Sequence, residues 1–239
     1  YSDANAVGMY HPIERTAGLI RMILFAFAGI FAPLFSQYFY EENFVKMKQI
    51  YQLSTKWIFV ATTPLFLFLI LFSSPMLMLF GSEFNNGLAL QILTLGIMIQ
   101  AFFGLGSSSL TMSGFSNLNL FNVLVALAVN ILLNIFLIPE YGIIGAATAT
   151  TTALFVISVL RFLENYFILK LNIFSFKLFK PLIAGILTFI LAKLSENYIF
   201  RFIDYSSSFY VLIFYLSLLI LMVFVGYFSF YFFLGIDRE

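Results

Sequence analysis

"NILLNIFLIPEYGIIGAATATTTA", residues 130–153, holds two apolar runs parted by a proline, an acid, a tyrosine and a glycine. The first run is bulky and carries Asn130 and Asn134 one helical turn apart; the second is almost wholly glycine, alanine and threonine. Followed outward, the runs become Leu118 to Ile138 and Gly142 to about Leu169. Each is long enough to span a bilayer, which takes ~20 mainly apolar residues. Two such spans around a tight break read as a membrane hairpin, with Pro139 and Gly142 expected to end one helix and start the next. From Gly145, small residues recur at every fourth position, through Ala149 to Ala153. Helices in lipid associate by van der Waals contact, so this face predicts close backbone approach, with Thr148, Thr150, Thr151 and Thr152 available for hydrogen bonds.

The rest of the chain has the same character. Of its 239 residues 62% are hydrophobic, 20% aromatic and only 10% charged, against roughly 25% charged in soluble proteins. A soluble domain could not hide that apolar surface, so the sequence describes an all-helical, polytopic membrane protein. Five more stretches are of spanning length: Thr16–Tyr40, interrupted by Arg21; Trp57–Phe80, with bends expected at Pro64 and Pro75; Gly87–Met112; Phe179–Phe200; and Ser208–Gly235. The expected bundle thus has about seven transmembrane helices. "EENFVKMKQIYQLSTKW" (41–57) reads either as a short interfacial helix or as a solvated connector, with Trp57 beside Lys56 at the membrane surface.

Loop charge gives an orientation. Lys46, Lys48 and Lys56 follow the first span, and Lys170, Lys177 and Lys180 follow the fifth, with Arg161 nearby. The alternate loops, "GSEFNNG" and "PEYG", hold acids and no base. The chain should therefore begin outside and end inside, although Arg201 beside Asp204 after the sixth stretch fits this less cleanly. Residue 1 is a tyrosine with no leader motif behind it, so the expectation is a piece of a longer protein.

Little here suggests catalysis. His11 is the single histidine, cysteine is absent, and the acids are scattered. No metal centre, thiol nucleophile or acid–base pair can be assembled from them, and no phosphate-binding glycine loop occurs. No catalytic residue, metal or cofactor is expected, and a net charge of +1 gives no attraction to nucleic acid. The polar residues inside spans are more informative. Asn119, Asn122, Asn130 and Asn134 fall within about a third of one helix circumference at ~100° per residue. Amides in hydrocarbon need partners, so the stripe serves either as helix-to-helix glue or as substrate contact. Gln100, flanked by Gly96 and Gly104, admits the same two readings. Arg21, a turn or two inside the first span with no acid at i±3 or i±4, either reaches the outer headgroups, pairs at a stretch with Glu14 two turns away, or serves a substrate.

In chain order, "VGMYHPIERTAGLI", "FAPLFSQYF", "LMLFGSEF", "ILTLGIMIQAFFGLGSSSLTMSG" and "NILLNIFLIPEYGIIGAATAT" resemble the C-terminal half of polysaccharide-biosynthesis flippases, within the multidrug/oligosaccharidyl-lipid/polysaccharide exporter superfamily. The resemblance covers about residues 6 to 170; the asparagine-rich helix with the "LIP-x-YG-x-x-GAA-x-AT" segment is its most specific part. It implies a two-lobe, MATE-like transporter. Residues 1–169 would be five spans of the second lobe, lacking its first helix, and 170–239 an additional helix pair. It further implies flipping of a polyprenyl-diphosphate-linked oligosaccharide from the cytoplasmic to the outer leaflet of the cell membrane by alternating access. Arg21, Gln100, Asn122, Asn130 and Asn134 would be candidate cavity residues, and the Gly145–Ala149–Ala153 face would serve packing. Its partners would be the lipid-linked substrate, membrane lipids and the missing N-terminal lobe. A multidrug or cation antiporter of the same superfamily is the alternative, usually dependent on membrane carboxylates, with a membrane-embedded glycan polymerase or glycosyltransferase ranked below it.

Overall fold

A computed structural model describes residues 4–81, 84, 86–173, 178–198 and 208–235. Lys177, the Arg201–Asp204 loop and most of the acidic loop 82–85 lie outside the described residues.

The hairpin is the organising element. Residues Ser116–Phe167 (α6) are helical throughout except at Gly142, whose φ of 54° and ψ of −126° reverse the chain. Its two arms then run antiparallel, as cross-arm hydrogen bonds require. Arg161 Nε donates to Asn119 Oδ1 at 3.0 Å, Asn122 Nδ2 to Glu164 Oε2 at 2.5 Å, and Asn130 Nδ2 to Thr150 Oγ1 at 3.4 Å. The reversal sits at Gly142 because only glycine takes that backbone at little steric cost. Pro139 lies within the first arm rather than ending it, which corrects the sequence reading. A proline there forfeits one ladder bond, that of its own missing N–H to the carbonyl four residues back.

Close approach of the arms is visible at Gly145. A Cβ there would stand 2.3 Å from the carbonyl oxygen of Leu137, so the two backbones are in contact. Ala149 and Ala153, on the same face one and two turns on, are 0% and 7% exposed. The second arm also seats on Gly87–Phe102 (α4): Thr151 Oγ1 donates to Ile92 O at 2.8 Å, and a Cβ on Gly96 would come within 2.8 Å of Thr151 Cα.

Ala4–Tyr40 (α1) is one helix that begins well before the expected Thr16 and contains Pro12 and Pro33. Phe44–Leu71 (α2) corrects two expectations. Residues 44–56 form neither a separate interfacial helix nor a connector; they are the first turns of the span, N-capped by Asn43. Met47, Tyr51, Thr55 and Lys56 are buried there, so tertiary packing holds these turns within the helix. Pro64 does not interrupt it, and Thr62 and Thr63 bond back to the carbonyls of Ile58 and Phe59 at 2.8 and 2.6 Å. The break falls at Phe72, before the short helix Ser73–Leu77 (α3), whose first turn takes Pro75 where a missing N–H matters little.

Gly87–Phe102 continues after a break into Gly106–Met112 (α5), bent by 43°. Phe179–Tyr198 (α7) and Phe209–Phe233 (α8) pack on each other and both against α2. Four described helices are long and apolar enough to cross a membrane, or five if the bent α4–α5 pair is one span. Taking the arms of α6 separately gives a helix for each expected span, although α7 is not among those that qualify by length and apolarity.

Candidate functional site

The break between α4 and α5 is dictated by Gly104, at φ +69°, in a left-handed conformation that suits glycine. Its own lack of a Cβ also admits Thr55, whose Oγ1 would lie 2.6 Å from one. Asn165, fully buried on the second arm of α6, meets the broken span just past the break, donating to Gly106 O at 3.1 Å. Ser109 Oγ in turn donates to Asn165 Oδ1, so the start of α5 is clamped to that arm.

Beside the break lies a cavity of about 280 Å³. Gln100, Ser107 and Ser108 line it from the broken span, and Ser158 and Arg161 from the second arm. Leu24, Phe25 and Ala28 of α1 close it. Arg161 is oriented by Asn119, whose own amide nitrogen donates to Ser107 Oγ at 3.0 Å and Thr111 Oγ1 at 3.3 Å. Only the Nε of Arg161 is engaged in this way, so the terminal nitrogens of its guanidinium have no hydrogen bond to a described residue. Gln100 Oε1 is buried and likewise without a hydrogen bond among the described residues. A guanidinium with free fork donors and a short row of hydroxyls can grip an oxyanion bidentately. None of the described residues lining it carries a carboxylate.

Of the residues singled out in the sequence, Gln100 reaches this cavity directly. Arg21 does not line it, but it precedes Leu24, Phe25 and Ala28 by three, four and seven positions, so it shares their face of α1. Arg21 forms no hydrogen bond or ion pair with a described residue. The structure places Asn122, Asn130 and Asn134 inside the hairpin: Asn122 on Glu164, Asn130 on Thr150, and Asn134 donating to Asn130 Oδ1 at 3.0 Å. His11 is exposed and accepts from Arg15 at 3.4 Å, and no group of metal-ligating side chains occurs among the described residues.

Sequence reasoning missed Arg161, read only as a loop-orienting charge, and Asn165. Their signal was a polar set, Ser158, Arg161 and Asn165, at three- and four-residue steps on one helix face, opposite the serine run Ser107–Ser109.

The described residues form an all-helical, multi-pass membrane protein. Among solved structures it is similar to the lipid II flippase MurJ in an inward closed conformation, with a TM-score of 0.68, 20% identity, and coverage of 95% of this chain and 47% of that one. No family model matches the sequence. Two curated relatives come from Methanocaldococcus jannaschii. The uncharacterized membrane protein MJ1068 is 26% identical over 181 residues, covering 71% of this chain and 35% of the relative. The uncharacterized membrane protein MJ1375 is 31% identical over 94 residues, covering 38% and 23%. The chain therefore spans about a third or less of these relatives, and about half of the flippase whose fold it shares.

Proposed function

We propose that the chain is part of a flippase that carries a polyprenyl-diphosphate-linked oligosaccharide from the cytoplasmic to the outer leaflet of the cell membrane by alternating access, for surface polysaccharide biosynthesis. The observation that carries this reading is a guanidinium-bearing cavity at a broken span, with no carboxylate among its described lining residues. An arginine within a span costs ~2.5–3.5 kcal/mol on insertion scales and needs a compensating role. Binding the diphosphate supplies one. Arg161, held by Asn119, receives the anionic head; Gln100 and the hydroxyls of Ser107 and Ser108 contact its oxygens or first sugar. Arg21, further toward the start of α1 on the cavity-lining face, takes the head over as the outer side opens. Asn122, Asn130 and Asn134 hold the hairpin that carries Arg161 and contact the head group only where the hairpin parts. With the cell interior negative, an outgoing anion gains ~2.3 kcal/mol per charge per 100 mV, so the site gathers and releases more than it drives.

In this reading residues 1–169 form one lobe, 170–239 an added helix pair, and a second lobe faces the cavity from elsewhere in the parent protein. A cation antiporter would need an available carboxylate near the cavity. Glu164, the nearest acid on the arm, accepts from Asn122 and lies by Arg161, which disfavours that alternative. The test is reconstitution of the parent protein in liposomes loaded with a fluorescent polyprenyl-diphosphate oligosaccharide. Protein-dependent exposure of the sugar at the far leaflet, lost in Arg161→Ala, is expected; proton-coupled uptake of an organic cation without sugar exposure would replace this function by the antiporter.

A further inference from the structure

A second polar recess lies elsewhere, where several spans end together. The end of α1, the first turns of α2 and the exit from α6 enclose a groove of about 830 Å³. Lys48 and Lys170 line it, with Gln49 and Gln52 between them. Neither lysine has a hydrogen bond or ion pair with a described residue, and none of the described residues lining the groove is an acid. Glu41 and Glu42 stand in the loop between the lining residues Phe39 and Phe44, outside the lining, and Glu41 is held by Gln37 at 2.8 Å. The walls are apolar and open: Phe44 and Val45 are 58% and 69% exposed, and Ile168 is 43% exposed.

The backbone around the groove is unusual as well. The two non-glycine residues with positive φ among those described are Glu42 at 54° and Lys170 at 56°. They stand in the loops that frame the groove on either side. A left-handed conformation disfavours any side chain with a Cβ, by roughly 1–2 kcal/mol, and a glycine at position 170 would avoid it. The loop is nevertheless fixed: Gln52 Nε2 donates to Asn172 O at 2.9 Å, and Leu171 N to Asn165 O at 2.9 Å. The strained position is thus one that presents a lysine to the groove.

We infer that this groove is a binding site for the headgroup of an anionic glycerophospholipid of the surrounding leaflet, its phosphodiester between Lys48 and Lys170. The depth fits, because α1 and α6 both end here, at the level where a bilayer's headgroups lie. So does the charge: two lysines and two amides line the groove, and none of the described residues lining it is an acid. Basic pockets between spans are a recurrent mode of anionic lipid recognition, at ~1 kcal/mol per basic residue. The site shares no lining residue with the cavity at Arg161, so its failure would leave the transport reading where it stands.

The chain in detergent, exchanged against equimolar dioleoylphosphatidylglycerol and dioleoylphosphatidylcholine, can be examined by native mass spectrometry. Selective retention of phosphatidylglycerol is expected. Lys48→Gln should lower that retention roughly fivefold, and Lys170→Gly should do the same while keeping the backbone conformation. Lys46→Gln is the control, because Lys46 stacks over Tyr38 at 5.5 Å outside the lining. Equal loss in Lys46→Gln, or undiminished selectivity in the double variant, would overturn the site. Displacement of the lipid by millimolar inorganic phosphate would assign the lysines to a free anion instead. Dimers that dissociate on the Lys48 and Lys170 substitutions would give the groove to a second copy of the chain. Either result removes the lipid.

Discussion

The two ends of the α6 hairpin use opposite means of joining the same pair of helices. Near Gly142 the arms touch through what is missing: no side chain at Gly145, and the carbonyl of Leu137 in its place. Near Phe167 they are joined through what is present, with Asn119, Asn122, Arg161 and Glu164 bridging the arms. The closed end leaves no room for water or ligand. The open end holds a cation beside a cavity and depends on polar partners to keep it oriented. One hairpin thus holds a tight closure and an oriented cation beside a cavity, separated by a few turns of helix.

The sharpest way to break this contrast is to put volume into the closed end. Ala149→Leu should abolish most of the folded yield, read by size-exclusion of a fluorescent fusion, because overpacking costs ~1–3 kcal/mol and a neighbouring backbone cannot yield cheaply. Phe155→Leu, at a position 48% exposed, should be tolerated; equal behaviour of the two would refute the packing role of the small face. At the open end, Arg161→Ala in the parent protein should reduce flipping at least tenfold with the yield unchanged, and Arg161→Lys should retain part of it. Arg21→Ala should give a similar but smaller loss. Wild-type flipping by Arg21→Ala at normal expression would remove that residue from the path.

A subtler effect separates glue from chemistry within the hairpin. Asn130→Ala and Thr150→Ala should each lower thermal stability slightly, with a coupling of ~0.6 kcal/mol typical of hydrogen bonds between spans. Little change in flipping is expected. A large transport defect with normal stability would instead move Asn130 from the hairpin to the substrate path. Orientation is the mildest test, since it should disturb nothing. Cysteine is absent from the chain, so Glu140→Cys should react with an impermeant maleimide in intact cells and Lys170→Cys only after lysis. The reverse pattern would invert the topology.

The periodic features of the sequence carried most of the architecture. Asparagines and small residues at helical spacing identified two arms, and a glycine beyond a proline located the turn, because membrane helices satisfy their own backbones and their side-chain faces can be read directly. The continuous α2 was less legible, since a lysine-rich segment that looks interfacial is held in the span by burial of Met47 and Tyr51 against other helices. The cavity was the least legible part. Arg161 belongs to it through Asn119 and Ser107, 42 and 54 positions earlier in the chain, and no local pattern announces such a meeting.

The break at Gly104 also has a mechanical consequence. The outer segment of that span is pinned to the second arm at Ile92–Thr151, and the inner segment is pinned to the same arm at Gly106–Asn165. A rod fastened at both ends to one strut cannot slide along it or swing away as a lever. Its joint, seated against Thr55 of α2 at Gly104, can only bow. Ser107, Ser108 and Gln100 flank that joint, so bowing changes the aperture around Arg161 while both fastenings hold. The segment would act as a leaf spring, whose stiffness limits how far the cavity beside Arg161 can widen.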